Sequence, residues 1–339
     1  MLTIVSLLAG LIALIAGAEV IVRYGTRLAE RLRISPLIIG LTIVSIGTSA
    51  PELAIGIDAM VRDQGSLVLG NITGTNMVNL LLILGLAAVI QPIALPRQTL
   101  RLDLPAMVLS SLLLLVLALD GGLSTWEGVV LLAVAIGYTL LLIRTARREA
   151  AGSTTDRSTA DREAVGGETP ATAESQPVDV FPGTGLRSTA VELVLLVVGI
   201  AIVVKGADWL VTGAVGIAGL FGVSETLIGL TIVAIGTSLP ELATAILATV
   251  RGSRSIAVGN LIGSSTYNLT FILGGSLLFG PHVVAVDPQL VGIDLPLMVG
   301  AALLCIPVFL TGRRITRAEG IVFIVAYAAY LTYLITVRA

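Results

Sequence analysis

Two glutamates of this 339-residue chain occupy equivalent positions in a repeated motif, each within an otherwise apolar run. Glu52 belongs to IGLTIVSIGTSAPELA (39–54) and Glu241 to IGLTIVAIGTSLPELA (228–243), and 14 of the 16 positions are identical. An ionised carboxylate is costly to insert in a membrane helix and usually marks a functional pathway. Because that cost is met twice, at matching positions, the sequence predicts that both acids serve the function of the protein.

Hydroxyl groups and a helix break accompany each acid. Thr48 and Glu52 are four residues apart, so they lie on one face of a helix with Ser49 beside them. Pro51 lacks an N–H and its ring clashes with the carbonyl four residues back, so we expect a break that frees main-chain oxygens. At membrane depth such oxygens are tolerated only when protein groups or a bound ion satisfy them. The second motif repeats the arrangement with Thr237, Ser238 and Pro240.

A hydroxyl and an amide, again four residues apart, follow each motif within GNITGTNMVN (70–79) and GNLIGSSTYN (259–268). With the motif residues they make a symmetric set of oxygen-bearing side chains, which we call the oxygen cage. Its members are Glu52, Thr48, Ser49, Thr75 and Asn79 of the first motif and Glu241, Thr237, Ser238, Ser264 and Asn268 of the second. Hard cations such as Ca²⁺ and Na⁺ take oxygen ligands, so the sequence predicts a site for such ions.

The apolar runs that carry these residues are long enough to cross a membrane. The chain is 55% hydrophobic and only 12% charged, whereas a soluble domain carries roughly 25% charged residues. This composition excludes a water-soluble globular protein and disfavours nucleic-acid binding, and a single His and a single Cys disfavour a zinc-type site. Runs of about 20 apolar residues predict an all-α polytopic membrane protein with ten transmembrane helices near 2–22, 36–60, 66–90, 102–119, 125–143, 188–210, 224–250, 255–279, 291–311 and 318–337.

The ten predicted spans divide into two related halves. Residues 1–145 form a first five-helix repeat with its motif at 39–79, and residues 187–339 form a second with its motif at 228–268. Because five is odd, the second half enters the membrane from the opposite side, and the repeats are inverted. Inverted repeats are typical of secondary transporters, in which the substrate binds near the midplane between discontinuous helices.

Basic residues set the predicted orientation. With ten spans, 17 of the 20 Lys and Arg residues fall on one side, and the positive-inside rule places that side in the cytoplasm. Both termini are then extracellular, and the protein is a multi-pass protein of the cell membrane. Residues 146–186 lie on the cytoplasmic side, are polar and lack apolar periodicity, so we expect a disordered linker between the halves.

Four other acids form two further repeated pairs. Asp103 and Asp294 each stand two residues before a proline at the start of an apolar run, which is typical of helix N-caps. Glu19 and Asp208 recur near helix ends, where we expect capping or ion pairing. Lys205 stands three residues before Asp208 and should pair with it or reach the membrane surface.

The paired motifs GTSAPELA (47–54) with GNITGTNMVN, and GTSLPELA (236–243) with GNLIGSSTYN, resemble the two α-repeats of the Ca²⁺:cation antiporter superfamily, the sodium/calcium exchangers. The resemblance covers essentially the whole chain outside 146–186 and is closest to the compact prokaryotic members. It implies that Ca²⁺ binds chiefly to Glu52, Glu241, Thr48 and Thr237. It also implies Na⁺ ligands at Ser49, Ser238, Thr75, Ser264 and the carbonyls of Ser45 and Ala234, with Asn79 and Asn268 bordering the central position.

The cage and the resemblance together predict a secondary antiporter, not an enzyme, that exchanges Ca²⁺ for Na⁺ by alternating access. Proton or potassium coupling is the alternative. Several relatives, including potassium-dependent ones, carry Asp where this chain has Asn268, and the missing carboxylate argues against potassium coupling. A passive channel and an intramembrane hydrolase fit less well, because a hydrolase needs a histidine or an aspartate pair at membrane depth. We expect no cofactor beyond the transported Ca²⁺ and Na⁺, a lipid bilayer as surroundings, no nucleic acid and no obligatory protein partner.

Overall fold

Eleven helices make up the described part of the chain, which in this computed structural model comprises residues 2–164, 186–220 and 234–338. A short helical turn, Ala234–Gly236, precedes the eighth of them. The helices are α1 (Leu2–Leu32), α2 (Pro36–Thr48), α3 (Ala50–Val61), α4 (Gly65–Ile90), α5 (Thr99–Asp120), α6 (Thr125–Ala164), α7 (Leu186–Leu220), α8 (Leu239–Val250), α9 (Arg254–Leu277), α10 (Leu290–Leu310) and α11 (Arg317–Thr336).

These helices confirm the predicted class of helical polytopic membrane protein. Within the described residues, eight helices are long and apolar enough to cross a bilayer, and the count is nine when α2 and α3, bent by 42° at their junction, are taken as one span. The 12-residue α8 is the described end of the predicted span 224–250. The remainder of that span lies outside the described residues, so the count of ten stays a prediction.

Two helices continue beyond their predicted spans. α1 runs on past residue 22 to Leu32, and α6 reaches Ala164, which corrects the prediction of an irregular segment beginning at residue 146. The α1 extension is rich in Arg and Leu and the α6 extension in Ala and Arg, and these residues favour helix and prolong one already nucleated in the membrane. Residues 165–185 of the predicted linker lie outside the described residues.

Two short antiparallel ribbons join the two halves. β1 (Ile93–Ala94), which follows α4, pairs with β4 (Arg314–Ile315), which lies between α10 and α11. β2 (Gly122–Ser124), between α5 and α6, pairs with β3 (Val283–Ala285), which follows α9. β1 and β3 stand at equivalent places in the two repeats, as do β2 and β4. Each ribbon therefore contains one strand of each repeat, as expected for repeats related by a twofold axis.

The interior contains two hydrophobic clusters. The larger one is formed mainly by α4, α5, α9, α10 and α11, and the smaller one is centred on α1 and α7 and includes Leu14 and Val203. α1 and α7 touch backbone to backbone, because a Cβ at Gly10 would lie 2.4 Å from the Leu210 nitrogen and one at Gly206 would lie 2.8 Å from the Leu14 nitrogen. The two helices thus form a closely packed pair beside the main bundle.

Candidate functional site

A helix break places Glu52 in the interior of the bundle. α2 ends at Thr48 and α3 begins at Ala50, and Ser49 between them has φ −82° and ψ 10°, which lies in the bridge region outside helical geometry. Pro51 stands in the first turn of α3, where its missing N–H interrupts no helical hydrogen bond. Glu52 therefore occupies the first turn of α3 and is fully buried.

The second repeat has the same break. Ser238, with φ −88° and ψ 4°, precedes α8, and Pro240 and Glu241 lie in the first turn of that helix. Unpaired N–H groups and the positive end of the helix dipole favour a carboxylate at such a position. The break that the repeated proline predicts is thus present in both halves.

Glycines bring α2 and α9 close enough for their polar side chains to meet. A Cβ at Gly263 would lie 2.9 Å from the Leu41 Cα, and one at Gly259 would lie 2.6 Å from the Leu37 carbonyl oxygen. Backbone atoms cannot move aside, so a larger residue at either position would push the helices apart. This contact places Ser264 of α9 beside the end of α2.

Glu241 accepts hydrogen bonds from both repeats. The Ser49 hydroxyl donates to its Oε1 at 3.3 Å, and the Ser264 hydroxyl lies 3.4 Å from the same atom. The Ser264 hydroxyl also lies 3.4 Å from the carbonyl oxygen of Ser45. Oε2 of Glu241 is buried and has no hydrogen-bond partner among the described residues.

The carboxylate of Glu52 has fewer hydrogen bonds than that of Glu241. Neither of its buried carboxylate oxygens has a hydrogen-bond partner in the described part of the chain, and its carboxylate lies close enough to that of Glu241 for the two to repel each other. Two neighbouring buried negative charges without compensation are unfavourable by several kcal/mol. Bound cations or protons would therefore stabilise the pair.

Further unpaired oxygens belong to the same elements. Within the described residues, the buried Thr75 and Ser238 hydroxyls have no hydrogen-bond partner, and neither do the side-chain oxygen and nitrogen of Asn79 and Asn268. Both asparagines lie in π-helical turns, Val78–Ile83 and Asn268–Ile272, and π-helical turns are frequent at functional sites. Because buried polar groups normally have partners, the unpaired oxygens among these atoms are candidate ligands for a hard cation.

The remaining predicted ligands lie at the two helix breaks. Thr48 is buried and donates to the Asn260 side-chain oxygen. Thr237 is half-buried and lines a cavity of ≈ 200 Å³ that Asp208 of α7 also lines. Ala234 begins the helical turn Ala234–Gly236, and its side chain is outside the described part.

Two polar residues near the site carried no clear signal in the sequence. Asn260 lies within the repeated GNLIG segment, but nothing in the motif distinguishes a ligand from a supporting residue. Thr244 on α8 hydrogen-bonds with Asn260, yet its equivalent in the first repeat is Ile55. A comparison of the repeats therefore could not identify it.

The structure contradicts the prediction for one of the other repeated acid pairs and confirms it for the second. Asp103 and Asp294 have helical backbone angles and cap nothing with their side chains, because the helix continues through both from a π-helical turn; the N-cap prediction is wrong. Asp208 pairs with Lys205 at 2.6 Å, and Glu19 pairs with Arg251 at 2.7 Å, so the prediction of interfacial pairing is confirmed.

Comparison with known proteins identifies relatives of this chain. The profile of the family described as "Sodium/calcium exchanger protein" matches residues 2–144 and 191–336. The "Putative antiporter CaxA" of Alkalimonas amylolytica is 34% identical over 326 residues, which cover 95% of each chain. The "Sodium/calcium exchanger MaX1" of Methanosarcina acetivorans is 32% identical over an alignment of 351 positions, which covers 97% of each chain. The solved structure of the Sodium/Calcium Exchanger from Methanococcus jannaschii aligns with a TM-score of 0.79 and 28% identity over 98% of each chain.

Proposed function

This chain belongs to the sodium/calcium exchanger protein family, whose members are membrane transporters rather than enzymes, and we propose that it exchanges Ca²⁺ for Na⁺ at a site near the bilayer midplane. The observation that carries the proposal is Glu52, a fully buried acid with no hydrogen-bond partner among the described residues, held beside Glu241. Unpaired hydroxyl and amide oxygens accompany the two acids. Such oxygen-rich surroundings suit Ca²⁺ and Na⁺.

The charge of the two acids supports exchange rather than uniport. When both are ionised, the site has a formal charge of −2, which one Ca²⁺ or two Na⁺ neutralise. An uncompensated pair would have to cross a dry region at a cost of several kcal/mol. The transporter should therefore change its access only when cations are bound, which couples the movement of one ion to that of the other.

We propose the ligands that the family resemblance implies. Ca²⁺ would contact both glutamates and the two motif threonines, and Na⁺ would contact the serines, the second-span hydroxyls and two main-chain carbonyls. The full set is Glu52, Glu241, Thr48 and Thr237 for Ca²⁺, and Ser49, Ser238, Thr75, Ser264 and the Ser45 and Ala234 carbonyls for Na⁺. Asn79 and Asn268 would border the central position.

Alternating access should come from the α1–α7 pair. These helices share their own hydrophobic cluster and pack against each other through glycines, whereas the oxygen cage is built from other helices of the bundle. We expect the pair to slide across the rest of the protein and to expose the site to one side of the membrane at a time.

The ribbons support the proposed topology of ten spans in a cell membrane with extracellular termini. β2 and β3 are hydrogen-bonded and so lie on one face of the membrane, and the chain between them crosses in α6, α7 and α9. A return to the same face needs an even number of crossings, so the segment between α7 and α9 should cross once more. The β1–β4 ribbon gives the same parity. Cysteines introduced at the exposed Asp63 and Arg97 should then be labelled from opposite sides, Asp63 from outside.

The function is tested by uptake of ⁴⁵Ca²⁺ into liposomes with imposed Na⁺, K⁺ or H⁺ gradients. An outward Na⁺ gradient at clamped pH should drive Ca²⁺ accumulation, and K⁺ or H⁺ gradients should not. Accumulation driven only by a proton gradient would instead support Ca²⁺/H⁺ exchange. Ca²⁺ flux without counter-transport would indicate a channel.

A further inference from the structure

We propose that two equivalent ion pairs close the two access routes in turn, Glu19 with Arg251 on one face of the membrane and Asp208 with Arg62 on the other. The acids lie on α1 and α7, and the arginines directly follow α8 and α3. Each acid matches the other, and each arginine the other, at the offset of 189 residues that relates the two motifs. The inference rests on the alternating access of the proposed function and names contacts that hold each state closed.

Within the described part of the chain, one of the two pairs is formed and the other is not. The Arg251 guanidinium lies 2.7 Å from Oε2 of Glu19, which ties α1 to the end of α8. Asp208 pairs instead with Lys205 of its own helix at 2.6 Å, and Arg62 pairs with an acid one turn earlier in α3 at 3.0 Å. Residues that are equivalent in sequence are therefore in contact on one side of the molecule and apart on the other.

The two pairs stand toward opposite ends of the α1–α7 pair. A Cβ at Gly10 of α1 would meet the backbone of Gly206 and Leu210, so Asp208 is level with Gly10. Glu19 lies nine residues further along α1, about 13 Å at 1.5 Å per residue. The twofold axis of inverted repeats lies in the membrane plane and reverses the direction of sliding. A displacement of α1 and α7 that forms one pair therefore separates the other.

The molecule is more open beside the unformed pair. The side chain of Asp208 is 58% exposed and that of Glu19 only 27%. Asp208 also lines the cavity of ≈ 200 Å³ that reaches residues of both helix breaks. Two of these residues are half-buried while their equivalents in the other repeat are buried, namely Pro51 and Thr237 against Pro240 and Thr48. The access route is thus open at Asp208 and closed at the equivalent place beside Glu19.

An acid at this position can hold two cationic partners at once. Glu19 uses Oε1 for Arg23 of its own helix, at 3.3 Å, and Oε2 for Arg251. Asp208 uses Oδ2 for Lys205 of its own helix, which leaves Oδ1 for an arginine from the neighbouring helix. The second pair can therefore form without loss of the contact that Asp208 already makes.

The test measures how often the closed side opens. Val22 is buried on α1, and its equivalent Val211 lines the open cavity. Val22→Cys in a Cys305→Ala background, which has no other cysteine, is labelled with a water-soluble maleimide in detergent. The labelling rate follows the fraction of molecules in the opposite state.

Loss of the formed pair should make that state more frequent. Glu19→Gln should raise the labelling rate of Val22→Cys about threefold, the effect expected of a partly exposed ion pair. Arg251→Gln removes the same pair and should act in the same direction, also if Glu19→Gln does not fold. Glu30→Gln changes an exposed acid of α1 that has no ion-pair partner among the described residues, and it should leave the rate unchanged.

The decisive measurement concerns the pair that is not formed. Asp208→Asn should slow the labelling of Val22→Cys about threefold, because it weakens the opposite state. In an Arg62→Gln background the same substitution should have no effect, since its partner is already gone. The two residues are not paired with each other in the described structure, so such coupling must arise in another state. Equal slowing in both backgrounds, or a parental rate in Asp208→Asn alone, would overturn the proposal.

The labelling result is distinguishable from a failure of the proposed function. It reports access and does not depend on which ion drives transport. A parent that exchanges Ca²⁺ for protons would refute Na⁺ coupling, and the opposite shifts in labelling would still support the alternating pairs. A parent with Na⁺-driven Ca²⁺ uptake whose labelling ignores both pairs would overturn this proposal alone.

Discussion

The hydroxyl of Ser49 in the first repeat donates to Glu241 of the second, at 3.3 Å from Oε1. The equivalent hydroxyl and acid of the other half, Ser238 and Glu52, are both without hydrogen-bond partners among the described residues. The two acids are therefore inequivalent although their sequences match. Glu241 is held by protein donors, whereas both oxygens of Glu52 are left for ions, so we expect Glu52 to contribute more of the Ca²⁺ contacts.

Removal of the Ser49 hydroxyl should weaken Na⁺ binding more than it harms the fold. Ser49→Ala deletes one donor to Glu241 and one proposed Na⁺ ligand, and the loss of about 1 kcal/mol corresponds to an apparent Na⁺ affinity several-fold lower. The measurement is Ca²⁺ efflux from liposomes as a function of external Na⁺. Thr42→Val is the control, because within the described part of the chain the Thr42 hydroxyl bonds only to the Ile38 carbonyl of its own helix. Equal Na⁺ dependence in both variants would remove Ser49 from the ligand set.

Neutralising either glutamate should abolish Ca²⁺ transport without unfolding the protein. Glu52→Gln or Glu241→Gln keeps the volume of the side chain but reduces the formal charge of the site from −2 to −1, which no longer balances Ca²⁺. Uptake of ⁴⁵Ca²⁺ should fall to the level of empty liposomes while size-exclusion profiles stay parental. Asp58→Asn changes an exposed acid of the same helix that pairs with Arg62, and it should transport normally. Full exchange in either glutamine variant would contradict the central assignment.

The sequence predicts the helix breaks because proline and glycine act locally. Pro51 and Pro240 interrupt the helix whatever surrounds them, and both breaks are present. The repeat likewise identifies the acids and hydroxyls, because each occurs twice. Thr244 escaped prediction because its contact with Asn260 depends on the packing of α8 against α9 and has no counterpart in the first half.

Two sequence-based expectations failed for a related reason. Asp103 stands before a proline, which is a common arrangement at the start of a helix, but a π-helical turn continues the helix through it. The helix that reaches Ala164 extends into a polar segment whose lack of apolar periodicity predicts an irregular structure. In both cases a helix continues through residues that tolerate it, and the absence of an apolar pattern does not reveal this.

The close packing of α1 on α7 should be required for transport. A Cβ added at Gly10 would lie 2.4 Å from the Leu210 nitrogen and 2.7 Å from the Gly206 oxygen, and neither backbone atom can yield. Gly10→Ala should therefore lower the melting temperature by several degrees and reduce exchange strongly. Gly137→Ala is the control, since no described atom lies within 4 Å of a Cβ there, and replacement of a helical Gly by Ala gains up to about 1 kcal/mol. Parental exchange in Gly10→Ala would show that the pair tolerates separation.

The segment between the repeats should act only as a tether. Its composition is polar and without apolar periodicity, and the family profile matches the chain on either side of residues 145–190. Replacement of residues 165–185 by a Gly–Ser sequence of equal length should leave Na⁺-driven Ca²⁺ uptake within twofold of the parent. A shortened replacement that stops transport would set the minimum span, whereas failure of the equal-length replacement would assign the segment a regulatory role.

Asn268 should make transport independent of K⁺. Its side chain is buried in a π-helical turn and has no hydrogen-bond partner among the described residues, and we propose that it borders the site as a neutral group. With amides at positions 79 and 268 the cage contains two carboxylates. Asn268→Asp would add a third acid close to the others, and like charges so near one another disfavour joint ionisation. The variant should therefore recruit a proton or an additional monovalent cation.

We expect Na⁺-driven Ca²⁺ flux of the parent to persist when K⁺ is replaced by choline on both sides of the liposome membrane, and the flux of Asn268→Asp to acquire a dependence on K⁺ or on pH. Asn268→Gln, which lengthens the side chain without adding charge, should acquire neither. A parent that stops working without K⁺ would show that this amide does not mark K⁺ independence.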